Sequence, residues 1–134
     1  MDKSTVLRII SDYGKALEAE GVKPQKIILF GSYSTGTQHE GSDIDLVVIS
    51  EDFASKDYWE RIDVLAAAIV RVFEPIEAIA MTPEEWEKKL SLLIENFRLR
   101  EQMGREGRRR VLENYTYQVC APRLFSVLTR TVER

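Results

Sequence analysis

The chain has 134 residues, 44% of them hydrophobic and 31% charged, a composition that excludes a disordered or membrane-embedded polypeptide. No apolar run approaches the roughly 18–20 residues of a bilayer-crossing helix, and the first residues, MDKSTVLRII, lack a signal-peptide pattern. The single cysteine, Cys120, can form neither an internal disulfide nor a zinc site, so a reducing cytoplasm is the expected compartment. The net charge of −3 is a balance of opposites. Residues 1–95 carry 10 Lys and Arg against 18 Asp and Glu (−8), while residues 96–134 carry nine Arg against four Glu (+5). Such asymmetry predicts two segments with different jobs.

Ser4–Glu20 sets Val6, Leu7, Ile10, Tyr13 and Leu17 at helical spacing, and Gly21 and Pro24 stop the helix. Lys26–Phe30 (KIILF) reads as a short buried strand, and Gly31–Ser42 as a loop with room for one helical turn. Asp43–Ser50 (DIDLVVIS) is a β-branched strand. Asp57–Phe73 is a second long helix with Trp59, Ile62, Leu65, Ala66, Ile69, Val70 and Phe73 along one broad face. Ile76–Met81 forms a third strand, and Thr82-Pro83-Glu84-Glu85 is a capping box that opens a helix through Trp86, Leu90, Leu93 and Ile94. Residues 1–95 therefore read as an α/β (α+β) domain around a small sheet. Residues 96–134 read as helix only. Phe97–Asn114 is Arg-rich and expected to break at Gly104 and Gly107. A last helix after Thr116 is expected to bury Leu124, Phe125, Leu128 and Val132 despite Pro122. Cys120, between Val119 and Ala121, is expected to be a small buried apolar residue.

The stretch GSYSTGTQHEGSDID carries the chemistry. Asp43 and Asp45, two apart on a strand, leave the same face, and two converging carboxylates repel unless cations lie between them. Oxygen donors of this kind suit Mg²⁺, which takes one or two carboxylates plus substrate phosphates. Upstream, Gly31-Ser32 follows a strand, where free backbone N–H groups and a missing side chain let a phosphate approach. Each half alone also fits a plain turn or cap; together, ten residues apart, they form a rarer pair. His39 is expected to be solvated, although a proton-shuttle role is open. Tyr33, Ser34 and Thr35 either shape a phosphate pocket or form the turn.

Gly31-Ser32, ten residues, then Asp43-x-Asp45 resembles the signature of the nucleotidyltransferase fold of the DNA polymerase β superfamily. Gly36, Ser42 and the helix before KIILFGS strengthen the resemblance, which covers residues 1–95 and is nearest in size to the minimal nucleotidyltransferases. That resemblance implies a small mixed sheet flanked by helices, with two Mg²⁺ ions held by Asp43, Asp45 and a third carboxylate. Glu77, within Pro75-Ile76-Glu77-Ala78-Ile79, stands where the family usually has Asp, with Glu74 a weaker candidate. It further implies nucleotide contacts at Gly31, Ser32, Gly36 and Ser42. The expected reaction moves a nucleoside monophosphate from an NTP, ATP foremost, to a hydroxyl acceptor. Many such proteins act as antitoxins beside HEPN-type partners, so the alternative is a weak or inactive NTP-binding module for such a partner. On an edge strand, Glu77 could equally be a solvent-facing residue.

The tail is expected as a helical extension, residues 96–134. Its Arg108-Arg109-Arg110 could meet nucleic acid or a triphosphate, but four interleaved acids and no stacking pattern favour a solvated face. The run Leu99-Arg100-Glu101, Gly104, Gly107-Arg108-Arg109, Glu113-Asn114-Tyr115 also resembles the C-terminal helical end of GT-B glycosyltransferases. That resemblance includes none of their sugar-nucleotide site and leaves a glycosyltransferase-derived fragment only as a remote alternative. A homodimer is expected from the apolar helix faces.

Overall fold

Asp2 starts the first helix by accepting the Thr5 N–H at 2.8 Å, and α1 runs Lys3–Ala19. Its inward stripe is Val6, Ile9, Tyr13, Ala16 and Leu17. Leu7, expected on that stripe, is 54% exposed, because the buried face is turned toward Ile9. Gly21, at φ +81°, reverses the chain. The structure is a computed structural model that describes residues 1–132, with side chains through residue 130. The chain divides into two compact units, Met1–Lys89 and Leu90–Arg134.

In the first unit, β1 (Lys26–Leu29), β2 (Ile44–Ile49) and β3 (Ile76–Met81) form a three-stranded sheet in the order β1-β2-β3. β1 pairs antiparallel with β2, with Leu29 opposite Leu46. β3 pairs parallel with β2, Asp45 opposite Glu77 and Val47 opposite Ile79. The mixed sheet follows from the connections. The short β1–β2 link carries only α2 (Gly31–Thr35), while the β2–β3 crossover contains α3 (Tyr58–Val72). Period two then divides β2: Ile44, Leu46 and Val48 are fully buried in the core with α1 and α3, and Asp45 leaves the opposite face. Tyr13 crosses that core, its hydroxyl donating to the Leu65 carbonyl at 3.3 Å, and burial raises its pKa.

Asp57 caps α3 in a full capping box with Glu60. Of the broad face expected on α3, only Leu65 is buried, joined by Ala68. Trp59 and Val70 are exposed, and Phe73 is 92% exposed at φ 55°. The sheet is too narrow to cover more than one stripe of this helix. Trp59 instead lies edge-on to Tyr58, ring centroids 5.2 Å apart. The capping box at Thr82 forms as expected and opens α4 (Pro83–Glu95): Glu85 N–H donates to Thr82 Oγ1, and Thr82 N–H to Glu85 Oε2.

The second unit begins within α4, at Leu90, and holds α5 (Phe97–Asn114) and α6 (Tyr117–Val132). α5 does not break at Gly104 and Gly107. Each glycine costs about 1 kcal/mol, and Arg–Glu pairs at Arg105–Glu101, Arg109–Glu106 and Arg109–Glu113 support the helix around them. These pairs leave Arg109 on a solvated face, as expected. α6 continues through Pro122, its sixth residue. Leu124, Phe125 and Leu128 are exposed rather than buried: an apolar stripe on a helix is covered only where another element packs against it. The Val132 side chain lies outside the described residues. Cys120 is likewise exposed, its thiol 3.4 Å from the Asn114 carbonyl.

Candidate functional site

The loop after β1 has three glycines of positive φ, Gly31, Gly36 and Gly41, and the first two bound α2. Phe30 N–H donates to the Asp45 carbonyl at 3.0 Å, holding the end of β1 against the start of β2. The chain then turns at Gly31, φ +66°, into α2, whose N-cap Phe30 offers no side-chain hydrogen bond. Gly31 is needed for a second reason. A β-carbon built there would lie 1.9 Å from Asp45 Oδ2 and 2.7 Å from Asp45 Cγ. Gly36, φ +74°, closes α2, its N–H reaching the Ser32 carbonyl; no atom lies within 4 Å of its would-be β-carbon, so only backbone freedom requires glycine there.

The expected site residues lie as follows. Asp43 is exposed, one residue before β2, and Asp45 is half-buried within β2 against Gly31. Glu77 is exposed on β3, directly across from Asp45 in the parallel register. Ser32 is half-buried in α2. Ser42 and His39 close the loop reciprocally: His39 N–H donates to Ser42 Oγ (3.0 Å) and Ser42 N–H to the His39 carbonyl (3.1 Å). The His39 ring is exposed, with Nδ1 2.8 Å from the Glu40 carbonyl. Ser34 turns its hydroxyl back to the Gly31 carbonyl, while Tyr33 packs against the core. Glu74 lies between α3 and β3 and accepts the Ile76 N–H. Thus Asp45 lies against Gly31 on one side and opposite Glu77 in the strand register on the other. No group of three or more His, Cys, Asp or Glu side chains poised to hold a metal occurs among the described residues.

A second concavity escaped the sequence reading. Beside β3 lies a cavity of about 450 Å³ floored by Ile62 and Leu65, with Lys56 and Arg61 on its rim. Arg61 organises this corner. Its guanidinium donates to both Glu85 oxygens (3.1 and 2.8 Å), and its Nε to the Phe53 and Lys56 carbonyls (3.1 Å each). Arg61 foremost, then the Thr82 N–H, holds the Glu85 carboxyl below the usual glutamate range. The available signal was an arginine in the first turns of α3, four residues after Asp57 and beside the apolar Ile62.

Known proteins agree with this frame. The family model described as a nucleotidyltransferase domain matches residues 10–117. Protein adenylyltransferase MntA of Shewanella oneidensis is 50% identical over 48 residues, 35% of this chain and 34% of that protein. The match thus spans about a third of that relative's length. A crystal structure from Sulfolobus solfataricus, described as that of a candidate nucleotidyltransferase, superposes with a TM-score of 0.50 at 15% identity. It covers 63% of this chain and 73% of that one, a likeness of fold. With more than half of its length matched by the family model, the chain belongs to the nucleotidyltransferase domain family.

Proposed function

We propose that this chain transfers a nucleoside monophosphate from an NTP to a hydroxyl acceptor, with ATP the donor, as the name of the adenylyltransferase relative suggests. The observation that carries this reading is Asp45, set against side-chain-free Gly31 on one side and opposite Glu77 on the other. The oxygen-only donor set of Asp43 and Asp45 fits Mg²⁺. This ion is commonly held by one or two carboxylates completed by water and substrate phosphates, so a site without a pre-built three-carboxylate cage remains suitable. When bound, two such ions would neutralise the triphosphate and favour the ionised acceptor.

The residues of this chain then have distinct tasks. Asp43 and Asp45 would hold the metal–triphosphate complex, and the Gly31–Ser32 backbone would receive the β and γ phosphates. Gly36 and Ser42 keep the loop in shape. The acceptor oxygen bonds to the α-phosphorus as the bond to pyrophosphate breaks, the leaving group departing with the electron pair. Glu77 takes the hydroxyl proton.

A second reading is favoured by the length and exposure of Glu77, which make its position looser than that of a shorter carboxylate. On that reading the chain binds NTP without transfer and serves as an antitoxin-like module for a HEPN-type partner. Calorimetric titration with MgATP, beside transfer of label from α-³²P-ATP, separates the two. Binding with transfer supports the enzyme, and binding without it supports the module. Undiminished binding by the Asp43→Asn, Asp45→Asn double variant overturns the site itself.

A further inference from the structure

The free edge of β3 has a definite polarity. Ile44 N–H donates to the Pro75 carbonyl (2.8 Å) and Ser50 N–H to the Met81 carbonyl (3.1 Å). Because bonding residues alternate along a parallel strand, Glu77, Ile79 and Met81 turn their peptide groups toward β2. Ala78 and Ala80 turn theirs away from the sheet, and β3 is its terminal strand. Ile76–Met81 contains no proline, lysine or bulge, and its one charge, Glu77, lies on the face opposite Ala78 and Ala80. The same two alanines, with Ile79 between them, border the cavity that Ile62 and Leu65 also line.

We infer that this edge binds an extended peptide by strand addition and presents it as the acceptor, an inference that rests on the nucleotidyl-transfer reading above. Main-chain bonds to Ala78 and Ala80 fix the strand, and a bulky apolar side chain enters the cavity of about 450 Å³ and occupies part of it. A second copy fits poorly. Antiparallel pairing of β3 with itself about Ile79 would offer the cavity only the methyl groups of Ala78 and Ala80. Charge selects further. Arg61 and Glu85 neutralise each other, whereas Lys56 has no ion pair among the described residues, so the rim favours an acidic residue beside the apolar anchor.

Alternation adds a rule. Side chains on the Ala78 and Ala80 face enter the cavity, and those on the other face stand beside Glu77. The acceptor hydroxyl and the apolar anchor must therefore be an odd number of positions apart. The transfer balances as before: the peptide oxygen gains the α-phosphorus, pyrophosphate leaves, and the proton passes to Glu77.

The test uses fluorescein-labelled octapeptides with one leucine, an adjacent aspartate, and a single tyrosine one, two or three positions from the leucine. Anisotropy without nucleotide reads docking, and label from α-³²P-ATP reads transfer. All three peptides are expected to bind, while the even-spaced one is labelled at least about tenfold less than the odd-spaced ones. Ala80→Pro, which removes an outward N–H, and Lys56→Glu are each expected to weaken docking about tenfold, with MgATP binding unchanged. Labelling indifferent to spacing, or docking unchanged in both variants, overturns the inference. Absence of MgATP binding by the wild type overturns the enzymatic reading instead, while anisotropy still decides whether the edge docks a peptide.

Discussion

The carboxylate of Asp45 occupies the space that a β-carbon on residue 31 would need, 1.9 Å from Oδ2, so Gly31 and Asp45 are a single steric unit. Gly31→Ala must displace that carboxylate as well as strain a backbone at φ +66°. The strain alone costs about 1–2 kcal/mol. The expected outcome is lower thermal stability together with loss of MgATP binding by calorimetry. Adding Asp45→Ala to Gly31→Ala is expected to restore part of the stability and none of the binding.

Glu77 is exposed and opposite Asp45, so its removal separates chemistry from folding. Glu77→Ala is expected to change unfolding free energy by no more than about 0.5 kcal/mol. Label transfer from α-³²P-ATP should fall by about a hundredfold or more if Glu77 accepts the proton. Glu77→Asp should keep most of that transfer.

Acid should loosen the corner around Arg61. The folded-state pKa of Glu85 is depressed, chiefly by its hydrogen bonds from Arg61. Its contribution to stability is therefore complete above the ordinary glutamate value of about 4.3. That contribution is lost as pH falls through the lower folded value. Urea unfolding across the acid range should show a steeper stability loss in wild type than in Glu85→Gln.

Phe73 holds a left-handed conformation at φ 55° while 92% exposed, so it contributes strain without packing. Phe73→Gly is expected to raise stability by about 1 kcal/mol, read as a higher melting temperature.

What the sequence disclosed followed from local chemistry. The β-branched run of Ile44–Ile49, the cap at Thr82 and the glycines around α2 each name their own structure. The pairing of Asp45 with Glu77 did not, because register depends on how two distant strands dock. Burial failed where periodicity was the only guide. Leu124, Phe125 and Cys120 lie on regular helix but lack a covering layer, and an apolar stripe does not say what lies across from it. The role of Arg61 was not legible because its partners lie partly in the irregular link before α3 (Phe53, Lys56) and partly in the distant α4 (Glu85).

The parallel pairing of β2 with β3 also orders events in time. β1, α2 and β2 can assemble from neighbours in the chain, whereas β3 must return across the whole of α3 to reach its place. Contacts of such high contact order form slowly. Asp45 meets Gly31 in the early, local half, and meets Glu77 only when the late half closes. A nucleotide held through both strands would therefore reward the finished chain alone and, by mass action, draw newly made molecules through that last step.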